Sequence, residues 1–168
     1  MSVWFFLISS INNKDLILDK IVFPINWQDI NITKCKKITD CFVANKTYND
    51  LINNEISIKE LNKYPLILQS KGSNTREFLD NFAKENNTIL KPNIELASYS
   101  LVVEFAKIGL GIGYATKDYV KEELKNQQLY EIKLKETIPS RYIGIATSNN
   151  HLPNFSTKKL IEIINNLK

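Results

Sequence analysis

Apolar strand-like segments alternate with amphipathic helix-like segments over most of this 168-residue chain. The clearest part of the alternation comprises, in chain order, the strand YPLILQ, a helix over 75–86, the strand NIELAS, the helix YSLVVEFAKIG and the strand LGIGYA. Parallel strands need long crossover connections, and helices usually supply them. The alternation therefore predicts an α/β fold with largely parallel sheets.

The segments on either side of this run also carry strand and helix patterns. Strands are predicted for INITKCKKI, for TDCFVA, for LYEIKLKE and for RYIGIAT. A short buried strand is predicted over 21–23, ended by Pro24. Short helices are predicted for KDYVKEEL and for SIKEL, where Ser57 and Glu60 have the spacing of a capping box. The opening segment MSVWFFLISSI fits either a helix or a strand.

Composition and charge exclude several classes of function. Hydrophobic residues make up 43% of the chain and charged residues 24%, as in an ordinary globular protein. The net charge of +4 comes from scattered basic residues, and no helix-turn-helix, zinc-finger or RNA-binding motif is recognisable. The apolar start lacks a basic flank and is too short for a membrane span. We therefore predict a cytoplasmic protein that contacts neither nucleic acid nor a membrane.

The chain also lacks the residue groups that catalysis and metal binding require. Its two cysteines, Cys35 and Cys41, fit reduced thiols in apolar strands better than a disulfide framework or a metal site. His151 is the single histidine, and no Ser-His-Asp arrangement is recognisable around it. No pair of carboxylates is marked out as acid and base. The sequence predicts a site that binds, with no catalytic residue, no metal and no cofactor.

The sequence LQSKGSNTREFLDNF places a small polar loop between a strand and the start of a helix. The first amide groups of a helix have no partner within it and, with the helix dipole, favour an anion or a carbonyl oxygen. Gly72 lets a ligand approach the backbone, and Ser70, Ser73 and Thr75 add hydroxyl groups. Asn74 is the predicted N-cap of the helix. These five residues are the candidate ligand-binding loop.

Each of these features also has a structural explanation. A capped helix after an ordinary turn accounts for the loop equally well, with Glu77 completing a capping box from Asn74. Ser98, before the next helix, is a capping residue first and a ligand contact second. Arg76 lies where the helix dipole disfavours a cation, so we expect its side chain to have a partner outside the helix.

The spaced glycines of GLGIGYA do not form a dinucleotide-binding loop. Such a loop follows a strand and opens a helix, whereas these glycines follow a helix and enter a strand. We predict that Gly109 ends the helix in a left-handed conformation, and that Gly111 and Gly113 permit close packing.

Three segments together resemble the effector-binding domain of LysR-type transcriptional regulators: YPLILQSKGSNTREFLDNF, IELASYSLVVEFAKIGLGIGYATKDYV and LYEIKLKETIPSRYIGIAT. The shared features are a strand with the pattern L-x-x-x-P-L-I, a Gly-Ser/Thr-x-x-Arg loop, a strand ending in E-x-x-S, and a helix ending in F-A-K-x-G-L-G-I-G. The resemblance extends over about 17–168 and is densest over 61–146.

The resemblance implies an α/β fold like that of type-2 periplasmic binding proteins, with two lobes joined by two crossing strands and a small effector bound in the cleft. TDCFVA and YIGIA would be the crossing strands. The second lobe would comprise 45–137, and 1–44 with 138–168 would form an incomplete first lobe.

The same resemblance assigns the binding residues. Ser70, Gly72, Ser73, Asn74 and Thr75 would line the cleft, with Ser98 nearby. Phe23 and Pro24 would face them from the first lobe.

The chain departs from the family pattern at its start. A winged helix-turn-helix and the first strand and helix of the first lobe are missing or replaced by MSVWFFLISSI, which is then assigned to a helix. We therefore expect a truncated regulator that senses a small effector, a carboxylate or another anion, and does not bind DNA alone. Its partners would be this effector and a second chain, in a homodimer or in a heteromer with an intact LysR-type regulator.

Three alternatives stay open for the same fold. They are a stand-alone solute-binding protein, an enzyme acting on a small acidic metabolite, and a regulator remnant without function. The lack of an export signal disfavours the first of these, and the lack of an evident nucleophile or acid–base pair disfavours the second.

Overall fold

The structure, a computed structural model, describes Leu7–Ser9, Ile17–Asp19, the continuous stretch 30–148, and residues 155, 158–159 and 162–163. The chain divides into two compact units, one formed by Met1–Ile38 with Ser140–Lys168 and the other by Thr39–Pro139. The candidate ligand-binding loop belongs to the second unit, which is described throughout.

Over 66–116 the strands and helices follow the order predicted from the alternation. The strands are β1 Leu7–Ser9, β2 Ile17–Asp19, β3 Ile30–Ile38, β4 Asp40–Ala44, β5 Leu66–Gln69, β6 Ile94–Leu96, β7 Ile112–Thr116, β8 Tyr130–Ile132 and β9 Arg141–Ser148. The α-helices are α1 Asn49–Ile52, α2 Asn74–Glu85, α3 Tyr99–Lys107 and α4 Lys121–Lys125, and 3-10 helices form at Lys46–Tyr48, Ile58–Lys63 and Lys117–Val120. The predicted SIKEL helix is thus a 3-10 turn, and its Ser57–Glu60 capping box is confirmed.

The unit Thr39–Pro139 is built on a five-stranded sheet with the strand order β6-β5-β7-β4-β8. β5 runs parallel to β6 and to β7, whereas β4 runs antiparallel to both β7 and β8. The prediction of largely parallel sheets is therefore wrong, because half of these strand pairs are antiparallel. Local periodicity identifies a strand, but its direction in the sheet depends on neighbours far away in sequence.

Two apolar clusters pack on the two faces of this sheet. On one face, Leu79, Phe82 and Ala83 of α2 contact a cluster that includes Leu66 and Leu68 of β5. The helical spacing of Phe78, Leu79, Phe82 and Ala83 predicts one apolar face of α2, and the burial of all four side chains confirms it. Full burial of one such large side chain stabilises the fold by roughly 1.5–3 kcal/mol.

The opposite face of the sheet carries α3. Val103 and Ala106 pack there with Cys41 and Val43 of β4. Cys41 and Val43 share this face because side chains alternate between the two faces along a strand. The helical spacing of Leu101, Val102, Phe105 and Ala106 predicts one buried stripe, which is wrong for Leu101, since that side chain is 45% exposed.

Glycines set the path of the chain from α3 into β7. Gly109, at φ +87, follows the end of α3, which confirms the predicted left-handed terminator. A Cβ on Gly111 would lie 2.6 Å from the Pro65 carbonyl oxygen, and a Cβ on Gly113 would lie 3.1 Å from the Ala106 Cβ. The predicted close packing at both positions is confirmed.

The other unit contains two antiparallel pairs in its described part. β3 pairs with β9 along most of its length, with a register shift between Lys34 and Lys36, and β1 pairs with β2. The assignment of the opening segment to a helix is therefore wrong at Leu7–Ser9, since these residues pair one for one with Ile17–Asp19. The predicted strand over 21–23, with Phe23 and Pro24, lies outside the described residues.

Candidate functional site

The carboxyl ends of β5, β6 and β7 lie at one edge of the sheet because these strands are parallel. The chain leaves β5 towards the face covered by α2, and it leaves β7 towards the opposite face, where Val120 packs with α3. In α/β sheets, ligands bind outside the carboxyl ends where connections diverge in this way. The loop 70–73, which follows β5, lies at that point.

Backbone hydrogen bonds hold the loop 70–73 in place. The Ser70 amide donates to the Leu96 carbonyl at the end of β6 (2.9 Å), and the Ser73 amide donates to the Ser70 carbonyl (3.3 Å). Gly72 has φ +88, a backbone conformation that residues with a Cβ rarely adopt. The loop is thereby tied to the neighbouring strand and turned sharply before the helix.

The helix α2 begins one residue earlier than predicted. Ser73 is its N-cap, with extended backbone angles and a side-chain oxygen that accepts from the Arg76 amide at 3.1 Å. Asn74 is the first residue of the helix, so its assignment as the N-cap is wrong. The serine oxygen already meets the amide three residues on, which leaves the asparagine side chain out of the cap.

The predicted site residues divide by exposure. Ser70, Ser73 and Asn74 are half-buried and Gly72 is exposed, so these four are accessible at the sheet edge. Thr75 is only 7% exposed.

Ser98 lies at the same edge, two residues after β6. It is the N-cap residue of α3, but within the described structure its side chain makes no capping hydrogen bond. Its hydroxyl instead lies 2.8 Å from that of Ser100. Since Ser70 is bonded to Leu96, the structure brings the segments that carry Ser70 and Ser98 together.

A polar cluster at this edge was not predicted from the sequence. Thr116, at the end of β7, donates from its hydroxyl to Asp40 Oδ1 at 2.6 Å, and its amide donates to the Tyr99 hydroxyl at 2.8 Å. Asp40 and Thr116 are both buried. The only sequence signal was an aspartate at the start of an apolar strand, because residues 40 and 116 meet only through the β4–β7 pairing.

Three side chains in or next to this cluster, Tyr99, Cys41 and Lys117, have raised pKa values. Burial raises the pKa of the Tyr99 hydroxyl to about 12, and burial likewise raises the pKa of the Cys41 thiol to about 12. The hydrogen bond from Lys117 to Glu131, at 2.6 Å, raises the pKa of that lysine. Tyr99 and Cys41 therefore stay neutral, and the charge of Lys117 is paired.

The described residues offer neither a metal site nor a membrane-spanning helix. Among them, no group of three or more His, Cys, Asp or Glu side chains is arranged to hold a metal ion. None of the helices in the same part of the chain is long and apolar enough to cross a bilayer.

The sheet is that of an α/β module in which the carboxyl ends of three parallel strands meet at one polar edge. The chain belongs to the LysR substrate binding domain family, whose model matches residues 21–167. Domains of this family are effector-binding modules of transcriptional regulators and are not enzymes.

Solved regulatory domains share the fold at low sequence identity. The CcmR regulatory domain of Synechocystis PCC6803, in complex with 2-PG, superposes with a TM-score of 0.73 at 18% identity, over 88% of this chain and 71% of that one. The effector-binding domain of QuiR, in complex with shikimate, gives a TM-score of 0.70 at 19% identity, over 86% of this chain and 68% of that one.

Two curated proteins share part of the sequence. They are the methylenetetrahydrofolate–tRNA-(uracil-5-)-methyltransferases TrmFO 2 of Mycoplasma capricolum and TrmFO 1 of Mycoplasma mycoides, each 28% identical over 135 residues. The match covers 80% of this chain but 30% of each methyltransferase. The chain thus spans less than a third of the length of these relatives.

Proposed function

We propose that this chain is the sensing domain of a LysR-type transcriptional regulator, and that it binds a small anionic effector, such as a carboxylate, at the loop 70–73. The observation that carries the proposal is the position of this loop, at the divergence point of a sheet in a chain of the LysR substrate binding domain family. CcmR and QuiR, which share the fold, were solved with the small molecules 2-PG and shikimate.

The chemistry of the loop supports an anion. α2 has 12 residues, and its first amide groups and dipole present partial positive charge at the loop. The sequence SKGSNT over 70–75 contains one lysine and no acidic side chain. Hydroxyl groups of Ser70 and, at the adjacent segment, Ser98 add hydrogen-bond donors. Asn74, Thr75, Phe23 and Pro24 stay predicted contacts of the same ligand.

Effector binding then acts by shifting the population of conformations towards the one that holds the ligand best. In this proposal the 168 residues sense the effector without contacting DNA. A second chain, in a homodimer or in a heteromer with an intact LysR-type regulator, responds to the bound state.

An exposed apolar stripe over 101–110, on α3 and the turn that ends it, supports the association with a second chain. We call it the α3 stripe. Leu101 is 45% exposed, Ile108 is 67% exposed and Leu110 is 46% exposed. Leu101, Phe105 and Ile108 recur at helical spacing and lie on one face of the helix. Contiguous exposed apolar surface of this kind marks interaction sites in soluble proteins.

A thermal-shift titration with a panel of small carboxylic and phosphorylated acids tests the binding site. An acid that binds the folded state increases the free energy of unfolding, by about 2.7 kcal/mol at 100 times its Kd. The melting temperature therefore rises with the concentration of the acid. Ser70→Ala removes one hydroxyl of the loop and should weaken the affinity about 2- to 12-fold, since one hydrogen bond contributes about 0.5–1.5 kcal/mol.

The matched control is Thr47→Ala. Thr47 is exposed and follows β4, which runs antiparallel to β7, so it lies at the opposite edge of the sheet. We expect this variant to keep the wild-type affinity. If no acid shifts the melting temperature of the folded wild-type chain, the proposed anion site is refuted.

A further inference from the structure

Arg76 is a buried cation in the first turn of α2. It is only 3% exposed, and its side chain contacts three structural elements. Its Nε donates to Asp80 Oδ1 of the same helix at 2.9 Å. Its Nη1 donates to the Gln69 carbonyl at the end of β5 (2.9 Å) and lies 3.3 Å from Glu95 Oε1 of β6. The expected partner outside the helix is thus confirmed.

Helix stability does not explain a buried arginine at this position. A cation near the N-terminus of a helix is disfavoured by the helix dipole, and its burial costs free energy that the two carboxylates offset. Apolar residues of similar volume often replace such buried ion pairs without loss of stability. What an apolar residue lacks is the ability to donate to the Gln69 carbonyl.

Arg76 holds both ends of the loop 70–73. Its side chain binds Gln69, the residue before the loop, and its backbone amide donates to the hydroxyl of Ser73, the last residue of the loop. The bond to Glu95 joins the same arginine to β6, whose final carbonyl receives the Ser70 amide. Arg76 therefore ties the strand end to the start of α2, through its side chain at Gln69 and through its backbone amide at Ser73.

We propose that Arg76 is a positioning residue that keeps the loop 70–73 in the conformation that receives the effector. Binding is weakened by the entropy lost when a mobile loop becomes ordered. A loop that is already ordered before the ligand arrives avoids this loss, so the affinity is higher. The role in binding rests on the proposed function, whereas the ordering of the loop is measurable without any ligand.

Hydrogen exchange of the full chain, read at the loop, tests the ordering. In Arg76→Met we expect the Ser70 and Ser73 amides, both hydrogen-bonded in the structure, to exchange at least about tenfold faster than in the wild type. The control is Ile132→Val, which trims a buried side chain of β8, separated from β5 by two strands. This variant lowers the stability of the fold, and its changed side chain is far from the loop. The exchange rates of the loop amides should therefore rise no more than those of amides elsewhere in the sheet.

Equal loop exchange in Arg76→Met and Ile132→Val would overturn the proposal. Should Arg76→Met not fold, Arg76→Lys provides the same test, because a lysine ammonium cannot reproduce the planar donor fork of arginine. Unchanged loop exchange in that variant would also overturn it.

The effect on binding is measured with any acid that shifts the wild-type melting temperature. We expect Arg76→Met to weaken its affinity about tenfold and Ile132→Val to leave it unchanged. Equal affinities in the two variants would contradict the positioning role. If the wild type binds none of the acids, the proposed function fails, while the exchange experiment still decides whether Arg76 orders the loop.

Discussion

At the scale of single residues, neighbouring polar side chains of the loop have different tasks. Ser73 and Asn74 are both residue types that cap helices well, and the sequence alone favoured Asn74. In the structure Ser73 has the extended backbone that an N-cap requires, and its hydroxyl receives the Arg76 amide. The cap position is therefore set by where the strand β5 ends and how sharply Gly72 turns the chain.

This difference predicts unequal effects for two adjacent alanine substitutions. Ser73→Ala removes the side-chain acceptor of the Arg76 amide and should lower the free energy of unfolding by about 1 kcal/mol. Asn74→Ala, at the first helical position, should change it by less than about 0.5 kcal/mol. Urea denaturation followed by circular dichroism measures both values. A larger loss for Asn74→Ala than for Ser73→Ala would contradict the observed cap.

At the scale of elements, the contact of α3 with the sheet depends on the absence of side chains in β7. Gly113 faces α3, and a Cβ added to it would lie 3.1 Å from the Ala106 Cβ and 3.4 Å from a Val102 side-chain carbon. Gly111 lies against the Pro65 carbonyl, which also receives the Ile112 amide at 2.8 Å. β5 and β7 thereby approach closely at their start.

Alanine substitutions of the two glycines should rank in order of the contact each Cβ would make. Gly111→Ala puts a Cβ 2.6 Å from a backbone oxygen that cannot rotate away, and it should cost about 1–3 kcal/mol of stability. Gly113→Ala meets a methyl group at 3.1 Å and should cost less, because α3 can shift by a few tenths of an ångström. Chemical denaturation of both variants checks the ranking, and the reverse order would show that the strand adjusts more easily than the helix.

At the scale of the whole molecule, the unit Thr39–Pro139 exposes apolar side chains on a helix that also packs on its sheet. α3 covers one face of the sheet with Val103 and Ala106, yet presents Leu101 and Ile108 outward. Apolar side chains on the outward side of such a helix mark a surface that a partner can bury. Burial of this stripe is the physical basis for the proposed association.

Glutamate substitution on the stripe should therefore weaken self-association. Ile108→Glu places a charge on an apolar side chain that is 67% exposed, and we expect the dissociation constant of any dimer to rise at least about tenfold. Ile89→Glu is the matched control, since Ile89 is even more exposed, at 79%, but follows α2. Sedimentation velocity over a range of concentrations measures both. A wild-type chain that stays monomeric at every concentration would refute the homodimer. Equal effects of the two variants would show that the α3 stripe is not the dimer interface.

The sequence by itself determined most of the strands and helices in the unit Thr39–Pro139, and several local details; the helix α1 was not predicted. The capping box of Ser57 and Glu60, the left-handed Gly109 and the buried face of α2 all follow from interactions within a few residues of each other. Such short-range preferences are visible in a pattern because the partners are neighbours in the chain.

Tertiary structure alone decided the features that join distant residues. The antiparallel direction of β4, the meeting of Asp40 with Thr116, and the strand at Leu7–Ser9 all depend on pairing partners that no local pattern specifies. The same holds for Arg76, whose position in the sequence indicated only that it needed a partner. Its hydrogen bond to Gln69 exists because the fold brings the end of a strand and the first turn of the following helix to the same loop.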